Sequence, residues 1–220
     1  MAPQLKNASE LAALRREYKK YVLDEQSLAT DPFTQFESWF SQAQAVVTGE
    51  PNAMALATVG KDGAPSLRMV LLKGYGSEGF CFYTNYLSRK GAELAFNGHA
   101  ALLFYWGELE RQVRIEGTVS LVSAEQSDRY FASRPRGAQQ GAIVSEQSSV
   151  IASRAELEHA VAALDAQYAD KPLPRPLNWG GYSLLPQVFE FWQGREDRLH
   201  DRFRFTRAQQ HGWKVARLAP

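Results

Sequence analysis

Cysteine is almost missing from this chain: Cys81 is the only one in 220 residues. That excludes an internal disulfide framework and suits a reducing compartment, the cytoplasm. Excess charge is missing too, since 25 basic and 24 acidic residues leave a net charge of +1. A general attraction to nucleic acid or to an anionic membrane surface is thereby excluded, and any basic site must be local. No apolar run approaches the length of a membrane span, and the start, Met1-Ala2-Pro3-Gln4-Leu5-Lys6, lacks the apolar core of a signal peptide. Repeats and low-complexity tracts are lacking as well. What is present is ordinary for a globular protein with a real core, 45% apolar and 22% charged. The length fits one domain with additions.

Three capping boxes punctuate the chain: Asn7 with Glu10, Ser123 with Gln126, and Ser153 with Glu156. After the first, Leu11, Leu14, Tyr18 and Tyr21 predict a helical stripe. Arg15, Arg16 and Tyr18 sit together on it, as a solvated basic face or as a site. Asp31-Pro32 predicts a helix start, with Phe33, Phe36, Phe40, Ala43 and Val47 as its buried stripe. The second box opens a helix that Pro135 must end. On it Tyr130 and Arg134 are four apart, a phosphate clamp or an exposed pair. The third opens a packing helix through Leu157, Val161, Leu164 and Tyr168. Between these two helices, 137–150 reads as small and polar, with 147–149 a loop.

Strand signals fill the rest. Residues 53–59 and 64–73 form a hairpin about Gly60-Lys61-Asp62-Gly63. The second strand carries Arg68-Met69-Val70-Leu71-Leu72-Lys73. Two cations at the ends of one apolar strand need partners, and a bound anion would serve. Strict alternation points Arg68 and Lys73 to opposite faces, so a bulge intervenes, or they serve different ligands, or the strand is a solvated edge. The glycines of 74–79 imitate a dinucleotide loop, but no helix follows. Residues 80–84 alternate as a strand, so the glycines are turn residues. Ser88 then caps a short helix ending near Asn97-Gly98. Arg89 and Lys90 at its N-terminus oppose the dipole unless an anion sits there. Residues 100–106 and 109–121 are strands; Gln112 lies on the polar face of the second, towards solvent or a site. Val188, Glu190 and Trp192 alternate with Phe189 and Phe191. Residues 198–205 predict a strand with Arg198, His200, Arg202 and Arg204 on one face and Leu199, Phe203 and Phe205 on the other. That is a solvated edge, or an anion-binding or proton-handling groove. A last hairpin through 210–212 returns on Trp213, Val215 and Leu218. The order predicts a mainly antiparallel barrel with helical additions.

In order along nearly the whole chain stand RMVLLK (68–73), FYTN (82–85), SRK (88–90), LERQVRIEG (109–117), YFASRPR (130–136), QSS (147–149), NWGGY (178–182), FWQGREDRLHDRF (191–203) and a terminal RLAP. Together they closely resemble the pyridoxamine 5′-phosphate oxidase family. The resemblance implies one FMN-binding split β-barrel domain over 1–220. It adds a mobile N-terminal helical segment (about 1–30) and a C-terminal dimerisation and substrate region (about 175–220). It implies a homodimer with FMN at the interface, oxidising pyridoxamine or pyridoxine 5′-phosphate with dioxygen. FMN would contact Arg68, Met69, Val70, Leu71, Leu72, Lys73, Tyr83, Thr84, Arg89, Lys90, Gln112, Gln147, Ser148, Trp192 and Arg202. The substrate phosphate would fall to Lys73, Tyr130 and Arg134. Arg198, Leu199 and His200 would line the reacting end, Arg198 and His200 as the catalytic pair. Arg15, Arg16, Glu17 and Tyr18 would close over the substrate. One departure is Ala138, where the family commonly offers a serine hydroxyl to that phosphate. No metal, nucleic acid or membrane partner is implied. A different flavin-dependent activity and a non-catalytic carrier of FMN or pyridoxal phosphate are the alternatives.

Overall fold

A computed structural model of the chain describes residues 13, 14, 17–169, 171–209 and 212–220. Helix α1, Pro32–Val46, starts where Asp31 accepts hydrogen bonds from the Phe33 and Thr34 amides, with proline at its first position. Strands β1 (Ala53–Val59) and β2 (Pro65–Leu71) form the predicted hairpin. Then follow β3 (Gly74–Gly76), β4 (Gly79–Asn85), α2 (Arg89–Phe96), β5 (His99–Trp106) and β6 (Arg111–Leu121). Helices α3 (Ala124–Ser133), α4 (Arg136–Val144) and α5 (Arg154–Tyr168) come next. The chain closes with β7 (Trp179–Gln193), a turn at Glu196–Arg198, β8 (Asp201–Arg207) and β9 (Trp213–Arg217).

All nine strands belong to one antiparallel sheet in the order β2-β1-β5-β6-β7-β4-β3, with β8 on β7 and β9 on β8. The path ends at β2 and β3, which do not pair, so the curled sheet stays split. Strand β7 is shared. Its first half pairs with β4, its second half with β8, and β6 runs along both. The change of partner falls at a register shift beside Gly117, opposite Pro186, which has no N–H to give a ladder. A Cβ at Gly117 would lie 2.1 Å from the Leu185 carbonyl oxygen, so the bulge needs glycine there.

Helix α1 plugs the barrel. Phe36 is fully buried among Phe80, Phe104 and Phe40, with ring centroids 4.9, 5.2 and 5.5 Å away. A second, smaller cluster of Phe131, Leu164, Leu173 and Trp179 lies under the helices. No helix among the described residues is long and apolar enough to cross a membrane.

Four segments depart from the sequence reading. Tyr18 and Tyr21 are not helical. Tyr18 meets Trp192 and His200 edge-on, and Tyr21 lies under the Arg111 guanidinium, 4.7 Å from ring centre to Cζ. These tertiary contacts outweigh the weak local preference of one stripe. Asn7, Glu10 and Leu11 lie outside the described residues. Gly74–Gly76 is a short strand, and the turn is at 77–78 with Gly79 at φ 109°. Residues 136–144 are helical rather than irregular. The predicted strand 198–205 begins only at Asp201, because Asp197 (φ 53°) and Arg198 (φ 62°) are left-handed and break the extended chain.

Candidate active site

The split between β2 and β4 opens a cavity of about 660 Å³. Arg68 reaches it from β2. Its guanidinium donates to the Leu56 carbonyl (3.1 Å), to the Thr58 and Ser66 hydroxyls, and to Glu93 Oε2 (3.0 Å). Arg89 takes the other oxygen of the same carboxylate, Nε to Oε1 at 2.9 Å. Burial pushes the Glu93 carboxyl up. Hydrogen bonds from Ser66, Thr58, Arg89 and Arg68 outweigh that and hold its pKa at about 2. One carboxylate thus serves two arginines, leaving positive charge in excess.

Lys90 adds to it. Its Nζ is buried and, among the described residues, donates to neutral oxygens: Gln147 Oε1 (2.7 Å), Thr84 Oγ1 (3.1 Å) and Ser88 Oγ (3.4 Å). Burial, with Arg68 adding, pulls the Lys90 pKa down to about 8 against the opposing Glu93. These groups surround the N-terminus of α2, which Ser88 caps through the Gly91 amide. The loop after α4 folds over the same place. The Arg89 amide donates to Ser148 Oγ (3.1 Å), and Thr84 Oγ1 to Gln147 Oε1 (2.9 Å). A helix N-terminus, excess cations and a lysine held on neutral partners together fit a phosphate.

The far end of the cavity is aromatic and cationic. Tyr83 stacks on Tyr130 (3.8 Å) and on Trp179 (5.6 Å), and the Arg134 guanidinium lies over Trp179 at 4.7 Å. Arg134 Nη1 is buried without a hydrogen-bond partner among the described residues. Burial lowers the Arg134 pKa, and Tyr130 opposes the shift. Tyr130 and Arg134 do meet, but not along one helix face. Helix α3 ends at Ser133, and Arg134 is extended (φ −74°, ψ 148°) because Pro135 crowds a helical residue before it. Ala138, in the first turn of α4, lines the same end.

Within the 68–73 stretch the cavity takes Arg68, Met69, Val70, Leu71 and Lys73. No bulge separates the two cations. Strand β2 stops at Leu71, and Lys73 follows the bend, its amide on the Cys81 carbonyl (2.8 Å). The Leu72 side chain points away into the core, 4% exposed.

The remaining predicted residues lie elsewhere in this chain. Gln112, Trp192 and Arg202 form one transverse row across β6, β7 and β8. Arg202 pairs with the buried Glu190 (2.8 Å), which also holds Arg114 (2.7 Å). Beside that row is a second cavity of about 480 Å³, lined by Glu17, Tyr18, Trp192, Arg195, Arg198 and His200 among others. His200 lies 4.6 Å from Trp192, ring to ring, and its Nδ1 accepts the Arg195 amide proton (3.1 Å). Burial lowers the His200 pKa, Arg198 lowers it further, and Asp201 opposes. Arg198 and His200 do not share a strand face, since Arg198 is in the left-handed turn, yet both line this cavity. Leu199 does not line it and is 70% exposed. Arg15 and Arg16 lie outside the described residues. Among the described residues the two cavities share none.

Sequence reasoning missed Trp179, the platform for Tyr83, Tyr130 and Arg134, and Glu93, the anchor of both arginines. A signal for the first existed in Trp179-Gly180-Gly181. A Cβ at Gly180 would fall 2.0 Å from the Tyr86 hydroxyl and 2.9 Å from that of Ser127, so a side chain there requires Tyr86 to move.

Residues 40–168 match the family model described as pyridoxamine 5′-phosphate oxidase. Residues 179–220 match the pyridoxine 5′-phosphate oxidase C-terminal dimerisation region. Pyridoxine/pyridoxamine 5′-phosphate oxidase of Burkholderia multivorans is 58% identical over 212 residues, 96% of this chain and 99% of that protein. The protein of the same name from Burkholderia pseudomallei is 56% identical over the same length. Among solved structures, PhzG of Burkholderia lata, in complex with tetrahydrophenazine-1-carboxylic acid, aligns with a TM-score of 0.84. It is 33% identical, over 90% of this chain and 98% of its own. A pyridoxamine 5′-phosphate oxidase-related, FMN binding protein of Nostoc punctiforme shares the split-barrel fold at 18% identity and a TM-score of 0.68, over 88% and 99% of the two chains.

Proposed function

Because the chain belongs to the pyridoxamine 5′-phosphate oxidase family, we propose that it oxidises pyridoxamine and pyridoxine 5′-phosphates to pyridoxal 5′-phosphate. Dioxygen is the acceptor and becomes hydrogen peroxide; the amine substrate also takes up water and releases ammonia. FMN, when bound, supplies the two-electron chemistry and passes the electrons to dioxygen.

The protein's part is to bind and orient. Arg68, Arg89 and Lys90, with Thr84, Gln147 and Ser148, would hold the FMN phosphate at the N-terminus of α2. Lys73, Tyr130 and Arg134 would hold the substrate phosphate. The observation that carries this reading is the unsatisfied, buried Nη1 of Arg134 beside a tyrosine in a cavity that already has a separate phosphate cradle. Two anion sites in one cavity suit a phosphorylated cofactor and a phosphorylated substrate. A buried donor without a partner costs about 1–3 kcal/mol, which a bound phosphate would recover.

The row of Gln112, Trp192 and Arg202 does not line the first cavity and reaches the second through Trp192, and residues 179–220 match a dimerisation region. Both facts support a homodimer in which the second cavity of one copy faces the first cavity of the other. Arg198 would then hold the substrate against the flavin site, close to the amine or hydroxyl group on the carbon that is oxidised. His200 binds and orients. Anchoring the substrate at its phosphate and at its ring makes the encounter effectively intramolecular.

Anaerobic mixing of the holoprotein with pyridoxamine 5′-phosphate tests this. The flavin absorbance should bleach, then recover with peroxide on admitting air. A yellow protein that does not bleach would keep the flavin site and move the substrate elsewhere. An aromatic carboxylic acid, the class bound to the PhzG relative, is the next to try, because Arg134 suits a carboxylate as well. A protein that takes up no FMN would undo the assignment of the α2 cradle.

A further inference from the structure

The loop that carries Arg198 and His200 has two consecutive left-handed residues, Asp197 and Arg198, neither of them glycine. Such a backbone persists only where its surroundings hold it. What holds it converges on Asp201, the first residue of β8, which is only 9% exposed. Asp201 Oδ2 accepts from the Leu23 amide (3.2 Å) and from Arg195 Nη1 (3.2 Å), and Oδ1 accepts from Arg217 Nη1 (2.9 Å). Arg217 in turn holds Glu25 through Nε (2.8 Å) and Nη2 (3.0 Å). One carboxylate therefore ties the segment before α1, the last strand and the start of the loop together.

The other end of that tie is His200. The Arg195 amide donates to His200 Nδ1, so Nδ1 is an acceptor and the neutral ring carries its one proton on Nε2. We infer that Asp201 is a positioning residue: by anchoring the Arg195 side chain it keeps the Arg195 amide on His200 Nδ1, and so fixes His200 as an Nε2–H hydrogen-bond donor towards the substrate. His200 is then not a proton acceptor in the reaction. Its lowered pKa keeps the ring neutral and agrees with this role. Either protonation of Nδ1 or rotation of the ring would break the hydrogen bond from the Arg195 amide. The consequence for catalysis rests on the reaction proposed above; the tautomer itself does not.

The test is nitrogen NMR of the holoprotein labelled at histidine, on the wild type, Asp201→Asn and Arg195→Met. Asp201→Asn keeps the shape and weakens both ion pairs. Arg195→Met leaves the Asp201 contacts to Leu23 and Arg217 in place, and so keeps the question open to test if the first variant fails to fold. In the wild type Nδ1 should resonate as an unprotonated nitrogen and Nε2 as a protonated one. In the folded variants both signals should move towards a tautomer average. KM for pyridoxamine 5′-phosphate should rise about tenfold, the loss of one hydrogen bond, with the flavin reduction rate in the bound state nearly unchanged. A protonated Nδ1 in the wild type overturns the inference. So does a single retained Nε2–H tautomer in the folded variants, whatever happens to KM. A protein that does not oxidise pyridoxamine 5′-phosphate would sink the proposed reaction while leaving the nitrogen signals to decide the role of Asp201.

Discussion

If FMN takes the phosphate cradle proposed for it, Lys90 makes its affinity depend on pH in a calculable way. In the free protein its pKa is about 8, because its Nζ is buried and its three oxygen partners are neutral. At pH 8 about half of Lys90 is neutral, and at pH 9 about nine-tenths. A phosphate dianion beside it favours the ammonium and restores an ordinary lysine pKa of about 10.4. Binding therefore draws in a proton whenever the free lysine lacks one. Because the complex holds that proton more tightly, affinity is full well below pH 8 and is lost as pH rises through 8. From pH 7 to pH 9 the dissociation constant should rise about tenfold, equivalent to about 1.4 kcal/mol. The assay is quenching of FMN fluorescence by the apoprotein at pH 7, 8 and 9 and constant ionic strength. Lys90→Met is the control: it should bind more weakly at pH 7 and lose the slope. A flat wild-type profile, or a slope that survives in Lys90→Met, would refute the reasoning, the latter by placing the titration in the ligand or in another residue.

Two further outcomes follow from the same geometry. Ala138→Ser should lower KM for the phosphorylated substrate about three- to tenfold, by adding a hydroxyl at the Arg134 end of the cavity, a gain reduced to the extent that water can do the same work; steady-state kinetics with an unchanged KM would contradict it. Glu190→Gln removes the carboxylate shared by Arg114 and Arg202 from a site 2% exposed, leaving Arg114 its second partner, Glu116 (2.9 Å). It should cost about 3 kcal/mol, and so lower Tm by roughly 6–12 °C. An unchanged thermal melt would show that Glu116, the Ala219 carbonyl and solvent suffice for the two guanidinium groups.

Much of this architecture was legible from alternation and caps. Asp31-Pro32 and Ser88 start helices as expected, and 53–59 is a strand to the residue. Helix α4 was not, because Gly137 and Gly141 weaken its helical signal and only Gln140 is buried, so no apolar stripe marks it. The strand at 198–205 failed for the opposite reason. Its alternation was strong, but two left-handed residues and the pull of Arg195, Arg217 and Leu23 on Asp201 decide the backbone there. The cavity residues were legible as cations in odd places, and the resemblance sorted them. What neither could supply was the partner of each cation: that Arg68 and Arg89 share Glu93, that Arg202 belongs to Glu190, and that Arg134 lies on Trp179 with one nitrogen unsatisfied. Such pairings depend on contacts between residues far apart in the chain, which no local pattern encodes.

Trp179 belongs at once to the cavity wall and to the small apolar cluster beneath α3 and α5. That cluster has four buried members, whereas the barrel core packs around Phe36, Phe80, Phe104 and Phe189 with many more. The helical layer is thus a weaker cooperative unit than the sheet, and it opens at lower cost. Half of the proposed substrate-phosphate site, Tyr130 and Arg134, rides on it. On warming, amide hydrogens of α3 and α4 should exchange before those of β6 and β7, and the proposed grip on substrate should be lost while the barrel is still intact. Ligand bound at Arg134 and Tyr130 works against that opening, which makes a filled site and a closed helical layer two descriptions of the same equilibrium.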